Sequence, residues 1–316
     1  MDYSMHGKLK IRSDIDLGLP AFFRQTFSGM PDLDISVGFK KVTDADYVFP
    51  PYVYHKKDML LHRYGFVTPC QLTLEDFEDG TKITFTRAYK RFVGVRKLLE
   101  CVLDLKLLQR GLVKTHGACV ELRDGTGVMI AGWDHSGKST LAINMMNDGA
   151  KFLSDDITLV SEDRAYAYPK NIKTFTGMHI LARKLNSVPF VNRALGLNRG
   201  VPPKNVTGST NVKYLFVSRY GKKSVRGISK TEAEMALNTM SVYVTAPFDS
   251  RHLLLEYCHY NKYDIGRLLE KRREIIHGFL RGVKCFELTS TNVPDSEDLI
   301  RKTLGKRMQG SGSNRF

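Results

Sequence analysis

Eight consecutive residues, Gly132-Trp133-Asp134-His135-Ser136-Gly137-Lys138-Ser139, satisfy the spacing GxxxxGK[ST], and Thr140 follows. Glycines at both ends let the backbone turn left-handed and aim several N–H groups at one point. A helix starting near Gly137 adds about half a positive charge there. Such a cradle suits a polyphosphate. Gly132, Ser136, Gly137, Lys138, Ser139 and Thr140 are therefore the expected nucleotide-binding residues, with Lys138 reaching the β- and γ-phosphates and the Ser139 hydroxyl ligating magnesium. ATP and Mg2+ are the expected ligands.

Phosphate chemistry also needs an acid, for metal or for proton removal, and Ser154-Asp155-Asp156 supplies two carboxylates 17 and 18 residues beyond Lys138. That separation suits a helix leaving the loop and a strand returning beside it. If the strand continues through the pair, the two side chains fall on opposite faces, so that one holds the metal and the other meets an acceptor. A polar turn capping the strand is the plainer alternative. His116 lies 16 residues before Gly132, ahead of the strand that leads through a hairpin to the loop. An imidazole there could bind phosphate or shuttle a proton, or could be structural.

The flanking elements are readable from periodicity. Gly117 to Leu122 and Gly127 to Ala131 look like two strands around an Asp124-Gly125 hairpin turn, and the second runs into the glycine loop. Lys138 to Asp148 is helical, with Leu141, Ala142, Met145 and Met146 on one face and Gly149 as a stop. Lys151 to Leu153 and Ile157 to Val160 read as strand on either side of the aspartates. Further out, Lys8 to Arg12, Leu33 to Val37, Tyr47 to Tyr54 and Lys82 to Arg87 have strand character. Arg91 to Arg110 reads as one buried connecting helix, and the last third offers strands near Val212 to Val217 and Lys284 to Leu288 and helices near Asp264 to Leu280 and Ser296 to Leu304. The expected division is a β-rich N-terminal unit over 1–90, a P-loop domain over 91–307 and a flexible tail over 308–316.

The chain has 316 residues, 42% hydrophobic and 26% charged, as expected of a folded globular protein. Asp2, Lys8, Lys10, Arg12, Asp14 and Asp16 interrupt the first residues and leave no apolar signal core. No run approaches the roughly 18 apolar residues of a membrane span, so a cytoplasmic protein with no membrane partner is expected. Five dispersed cysteines form no CxxC pair and should be reduced thiols. The net charge of +15 is concentrated: residues 165–231 carry thirteen Lys and Arg and no Asp or Glu. A nucleic acid, a phosphorylated metabolite or an acidic peptide would suit that segment, as would a simple solvated face.

His116-Gly117-Ala118, Gly127-Val128-Met129-Ile130-Ala131-Gly132, the Gly137-Lys138-Ser139-Thr140 box and Gly149-Ala150-Lys151-Phe152-Leu153-Ser154-Asp155-Asp156 follow one another in an order that resembles the catalytic core of the HPr kinase/phosphorylase family. Over Tyr3 to Leu19 and Asp34 to Gly38 the chain also resembles the N-terminal unit of related proteins, including lasso-peptide precursor kinases. The resemblance implies an α/β, phosphoenolpyruvate-carboxykinase-like P-loop fold and a kinase that phosphorylates a serine hydroxyl. It further implies Asp156 as general base, Ser139 as magnesium ligand, Asp155 as support for metal or water, and His116 near the transferred phosphate. The family's second signature is matched only by Arg199-Gly200-Val201, so the resemblance leaves the reverse phosphorylase reaction and the family's own protein substrate open. An ATP-dependent kinase is the leading expectation, acting on a protein or peptide serine or on an anionic acceptor held by 165–231. A P-loop protein that senses nucleotide without transferring phosphate is the alternative. The sequence leaves a homo-oligomer open.

Overall fold

The computed structural model describes residues 1–43, 47–49, 53–64, 69–169, 172–173, 198–199, 205–244 and 252–305. The fold is mixed α/β, and its contacts divide the chain into two compact units: residues 1–113 with 245–274, and residues 114–244 with 275–316. The sequence boundary at residue 90 falls earlier than this division. The reason lies in the helix that follows it, whose apolar side chains are buried within the first unit.

The first unit is built on an eight-stranded sheet in the order β1-β2-β3-β8-β7-β6-β5-β4. Its strands are β1 (Asp2–Met5), β2 (Leu9–Ser13), β3 (Leu33–Val37), β4 (Tyr47–Phe49), β5 (Val53–Lys56), β6 (Met59–Arg63), β7 (Gln71–Glu75) and β8 (Thr81–Phe85). Helices α1 (Arg87–Phe92) and α2 (Arg96–Gln109) follow. The single helix expected over 91–110 is broken, because Gly94 takes a φ of +84° and Phe92 lies exposed rather than in the apolar stripe. The His252–Tyr260 helix belongs to this unit too, and its Tyr257 hydroxyl accepts the Phe77 N–H at 3.2 Å.

Lys106 of α2 is fully buried, with Nζ donating to the carbonyls of Phe77 at 2.7 Å, Asp79 at 3.2 Å and Glu78 at 3.4 Å. The ammonium thus closes the turn between β7 and β8. Burial, with a smaller push from Arg110, lowers its pKa to about 8 against the pull of Asp32, Asp79 and Glu78.

The second unit holds a nine-stranded sheet. Along its main path the order is β16-β13-β12-β9-β10-β17-β19-β18, and β11 pairs with β9 off that path. The strands are β9 (Val113–Glu121), β10 (Gly127–Gly132), β11 (Lys151–Ser154), β12 (Ile157–Val160), β13 (Ala165–Tyr166), β16 (Ser209–Thr210), β17 (Val212–Tyr220), β18 (Ser224–Gly227) and β19 (Lys284–Ser290); β14 (Ile172–Lys173) and β15 (Asn198–Arg199) form a separate pair. Asp124 caps the expected hairpin turn by accepting the Thr126 N–H at 2.9 Å, which sets β9 antiparallel to β10. On its other side β10 runs parallel to β17.

All six residues of β10 are buried. Val128 and Ile130 point to one face, where they pack with Leu141, Ala142 and Met145 of helix α3 (Lys138–Asn147) and with Ile300 and Leu304 of the Val293–Leu304 helix. The Lys230–Val244 helix packs on β10 and β19, burying Ala233, Leu237, Met240 and Ser241 at helical spacing. A strand held on both edges and packed on a helix delivers Gly132 to a fixed place. The five cysteines are buried free thiols, and among the described residues no helix is long and apolar enough to cross a membrane. The tail over 308–316 lies outside the described residues.

Candidate active site

The loop leaves β10 at Gly132, whose missing side chain is required: a Cβ there would stand 2.8 Å from Ser136 Oγ and 3.1 Å from the Ser218 carbonyl. The Trp133 carbonyl accepts from Ser136 N at 3.2 Å and from Lys138 Nζ at 2.7 Å, folding the loop over its own lysine. Gly137, with φ +83°, turns the chain into α3, whose first residue is Lys138. Lys138 is buried, and burial lowers its pKa while Asp156, Asp134 and Asp155 oppose that shift. Three carboxylates thus offset part of the cost of burying the ammonium.

Ser139, one residue further on, donates to Asp155 Oδ1 at 2.6 Å. Asp155 is 6% exposed; burial raises its pKa and the Ser139 bond opposes the rise. Asp156 beside it is exposed. The two carboxylates differ in burial, but not through the alternation of a continuous strand. The strand does not continue through the aspartates: β11 ends at Ser154, the chain bends, and Asp156 takes a left-handed φ of +63°. The bend is pinned by Gly117 N donating to the Asp156 carbonyl at 3.2 Å, by Asp156 N donating to Asp155 Oδ1 at 3.0 Å, and by Thr158 Oγ1 donating to the Gly117 carbonyl at 2.9 Å. A left-handed non-glycine residue costs about 1 kcal/mol or more, and is held only where its surroundings over-determine it.

His116 sits inside β9, 2% exposed, with Nε2 3.3 Å from Asp134 Oδ1. Burial, reinforced by the charge of Lys138, lowers its pKa, while Asp134 and Asp156 act against this. The ring is therefore neutral at pH 7. His116 Nδ1 and Ser136 Oγ are buried without a hydrogen-bond partner among the described residues, an uncommon state for polar atoms away from a ligand site. Asp134 is also held from a second side: the Tyr243 hydroxyl donates to its other oxygen, which lowers the Asp134 pKa and raises that of Tyr243. The Tyr243 ring lies 5.1 Å from His116 and 5.3 Å edge-on from Trp133, centroid to centroid.

No family model and no curated protein matches the chain. Among solved structures it is similar to the Hpr(Ser) kinase/phosphatase from Coxiella burnetii. That match has 12% identity and a TM-score of 0.30, and covers 62% of this chain and 99% of that one. A likeness of that degree assigns no family, and the chemistry has to be read from the residues themselves.

The structure brings Gly132, Ser136, Gly137, Lys138 and Ser139 together with Asp155, and Asp156 and His116 act electrostatically on Lys138 or feel its charge. Thr140 is exposed on the first turn of α3. Sequence reasoning missed Asp134 and Tyr243. Asp134 occupied a variable place of the loop motif, and its only signal was a carboxylate where the motif asks for none. Tyr243 stands 109 residues away on another helix and carried no signal at all.

The cations of the basic segment 165–231 fall into two groups along the chain. Most of 170–204 lies outside the described residues. Of the later cations, Arg219 pairs with Glu287 at 3.0 Å, Arg226 with Glu287 at 2.9 Å and Glu232 at 3.3 Å, and Lys223 with Asp295 and Asp298, each at 2.9 Å. Counting charge within 165–231 overlooked carboxylates supplied from 232–298.

Proposed function

We propose that this chain is an ATP-dependent kinase that moves the γ-phosphoryl group to a hydroxyl acceptor, by resemblance a serine of a protein or peptide. The observation that carries the reading is the joining of the loop to the aspartate bend by the 2.6 Å bond from Ser139 to buried Asp155, with exposed Asp156 next in the chain. A site that only binds nucleotide needs no second, exposed acid beside it.

The donor set suits magnesium. A carboxylate and a hydroxyl are hard oxygen ligands, and Mg2+ takes one or two protein groups while phosphates and water complete its shell. Ser139 and Asp155 would hold the ion, which when bound neutralises β- and γ-phosphate oxygens. Loop amides and the α3 N-terminus orient the phosphates, and Lys138 exchanges the Trp133 carbonyl for phosphate oxygens. Asp156 takes the proton of the acceptor hydroxyl as its oxygen bonds to the γ-phosphorus. The bond from that phosphorus to the β,γ-bridging oxygen breaks, and ADP leaves. Neutral His116, oriented by Asp134, lies beside this charge as a hydrogen-bonding group.

Binding and transfer separate the roles. Lys138→Ala is expected to weaken Mg-ATP binding at least tenfold in calorimetry. Asp156→Asn should bind Mg-ATP within about twofold of the parent yet lose about 100-fold or more in labelled phosphate transfer, the usual weight of a general base. Transfer that persists in the Asp156 variant refutes its role, and a parent protein that fails to bind Mg-ATP refutes the function.

A further inference from the structure

A cleft of about 570 Å³ opens beside the loop, between the end of β17 and the Lys230–Val244 helix. Trp133 forms part of its wall, and Met235, Met240, Thr239, Arg219 and Glu287 form much of the rest. Resting on the kinase reading above, we infer that this cleft is the acceptor subsite and takes an uncharged apolar or aromatic side chain neighbouring the acceptor hydroxyl of a polypeptide.

Position decides which substrate meets the cleft. Lys138 serves the β- and γ-phosphates in a loop of this kind, and the nucleoside leaves from the opposite end of the triphosphate. Around Lys138 stand Asp134, Asp156 and His116, coupled to it by charge. Trp133 reaches this group through Tyr243, which contacts the indole at 5.3 Å and the imidazole at 5.1 Å and holds Asp134. The wall of the cleft therefore abuts the phosphate that departs, from which side the acceptor must approach in line.

Charge decides what kind of acceptor enters. Its lining includes one cation, Arg219, and two carboxylates, Glu232 and Glu287. Arg219 is engaged by Glu287, and Arg226 from outside binds both acids. A polyphosphate or nucleic-acid backbone finds no surplus of positive charge here, because both cations are engaged by the two acids. Trp133, Met235 and Tyr220, by contrast, are 49%, 67% and 85% exposed and gather on this one cleft. Clustered exposed apolar groups of this size mark a binding surface, and thioethers adapt to aromatic and aliphatic partners alike. The anionic acceptors suggested by the charge of 165–231 are thus disfavoured at the site of transfer.

The test uses the full chain, γ-labelled ATP with Mg2+, and end-blocked serine peptides with Phe, Leu, Lys or Asp fixed beside the serine; an RNA oligonucleotide with a free 5′-hydroxyl is run in parallel. Phe and Leu peptides should be labelled with kcat/KM at least tenfold above Asp peptides. Met235→Glu and Thr239→Trp, both on the exposed side of their helix, should each lower the Phe and Leu rates at least tenfold. Affinity for Mg-ADP, measured by calorimetry, should stay within twofold in both variants. The inference is overturned if labelling ignores the flanking residue, if RNA alone takes label, or if no peptide is labelled by a protein that binds Mg-ADP. It is equally overturned if Met235→Glu weakens Mg-ADP, since the nucleoside would then occupy the cleft. Failure of the parent to bind either Mg-ADP or Mg-tripolyphosphate removes the kinase reading itself.

Discussion

Asp155 sets stability against function, and Asp155→Asn exposes the conflict. Burial raises the Asp155 pKa above its ordinary 3.8, so the unfolded chain ionises first as pH rises. Between 3.8 and the folded pKa the native state holds the extra proton, so stability falls as pH rises through that window. Above 3.8 the buried carboxyl is a standing cost in the ligand-free protein, relieved only in part by the 2.6 Å bond from Ser139. Asp155→Asn keeps the shape and the acceptor oxygen but removes the charge. It should therefore stabilise the second unit by about 1 kcal/mol at pH 7, the usual size of such relief at a functional site. Below pH 3.8 the advantage should vanish. Ser139→Ala leaves a buried carboxylate without its donor, costing roughly 1.5–3 kcal/mol, and only about 1 kcal/mol where residue 155 is already neutral. The double-mutant cycle should therefore show a coupling of about 1 kcal/mol. Urea unfolding at pH 7 and pH 3.5, followed by Trp133 emission and circular dichroism, measures all three variants. Titration of ADP with and without Mg2+ gives the functional arm, where Asp155→Asn should abolish the gain in affinity from the metal. An Asp155→Asn protein that is less stable at pH 7 and still responds to Mg2+ would refute both halves of the argument.

Two further perturbations test the scaffold. Lys106 falls from 10.5 to about 8 on folding, so the unfolded chain binds the extra proton between those values and stability rises with pH there. Buried Tyr257 and Cys258, both raised to about 12, act oppositely above pH 9, so the measurable quantity is parent minus Lys106→Met. That difference should grow by up to ~3 kcal/mol from pH 8 to 10.5 in urea unfolding of the first unit. Gly137→Ala forces a Cβ into a left-handed residue and to 2.8 Å from Val293 Cγ2. It should cost about 2 kcal/mol in stability and lower Mg-ADP affinity, both read from Trp133.

Much of the second unit was legible because its signals are local. The Asp124-Gly125 turn, the apolar run into Gly132 and the one-faced stripe of Leu141, Ala142 and Met145 each lie within a dozen residues, and each became the expected element. Strands β6, β7 and β18 and the Lys230–Val244 and His252–Tyr260 helices were not read, since weak amphipathicity gives no clean period. The aspartate pair was found by type and spacing, yet the left-handed turn at Asp156 depends on hydrogen bonds from Gly117 and Thr158 that no local pattern encodes. The same limit hid Tyr243 from Asp134 and Glu287 from Arg219. Partners brought together only by the sheet and its packed helices leave no mark in a window of neighbours.

The interleaving of the two units has a consequence for biosynthesis. Residues 1–113 emerge from the ribosome well before 245–274, and at the usual rates of translation the delay is on the order of ten seconds. Throughout that interval Phe77 N–H lacks the Tyr257 hydroxyl, and the eight-stranded sheet, whose last strand ends at Phe85, stands without the His252–Tyr260 helix. Nor can the second unit finish before β19 is made, because β19 must slot between β17 and β18. Each unit therefore waits on a segment distant in the chain, and a nascent chain stalled short of residue 284 leaves β17 and β18 without the strand that joins them.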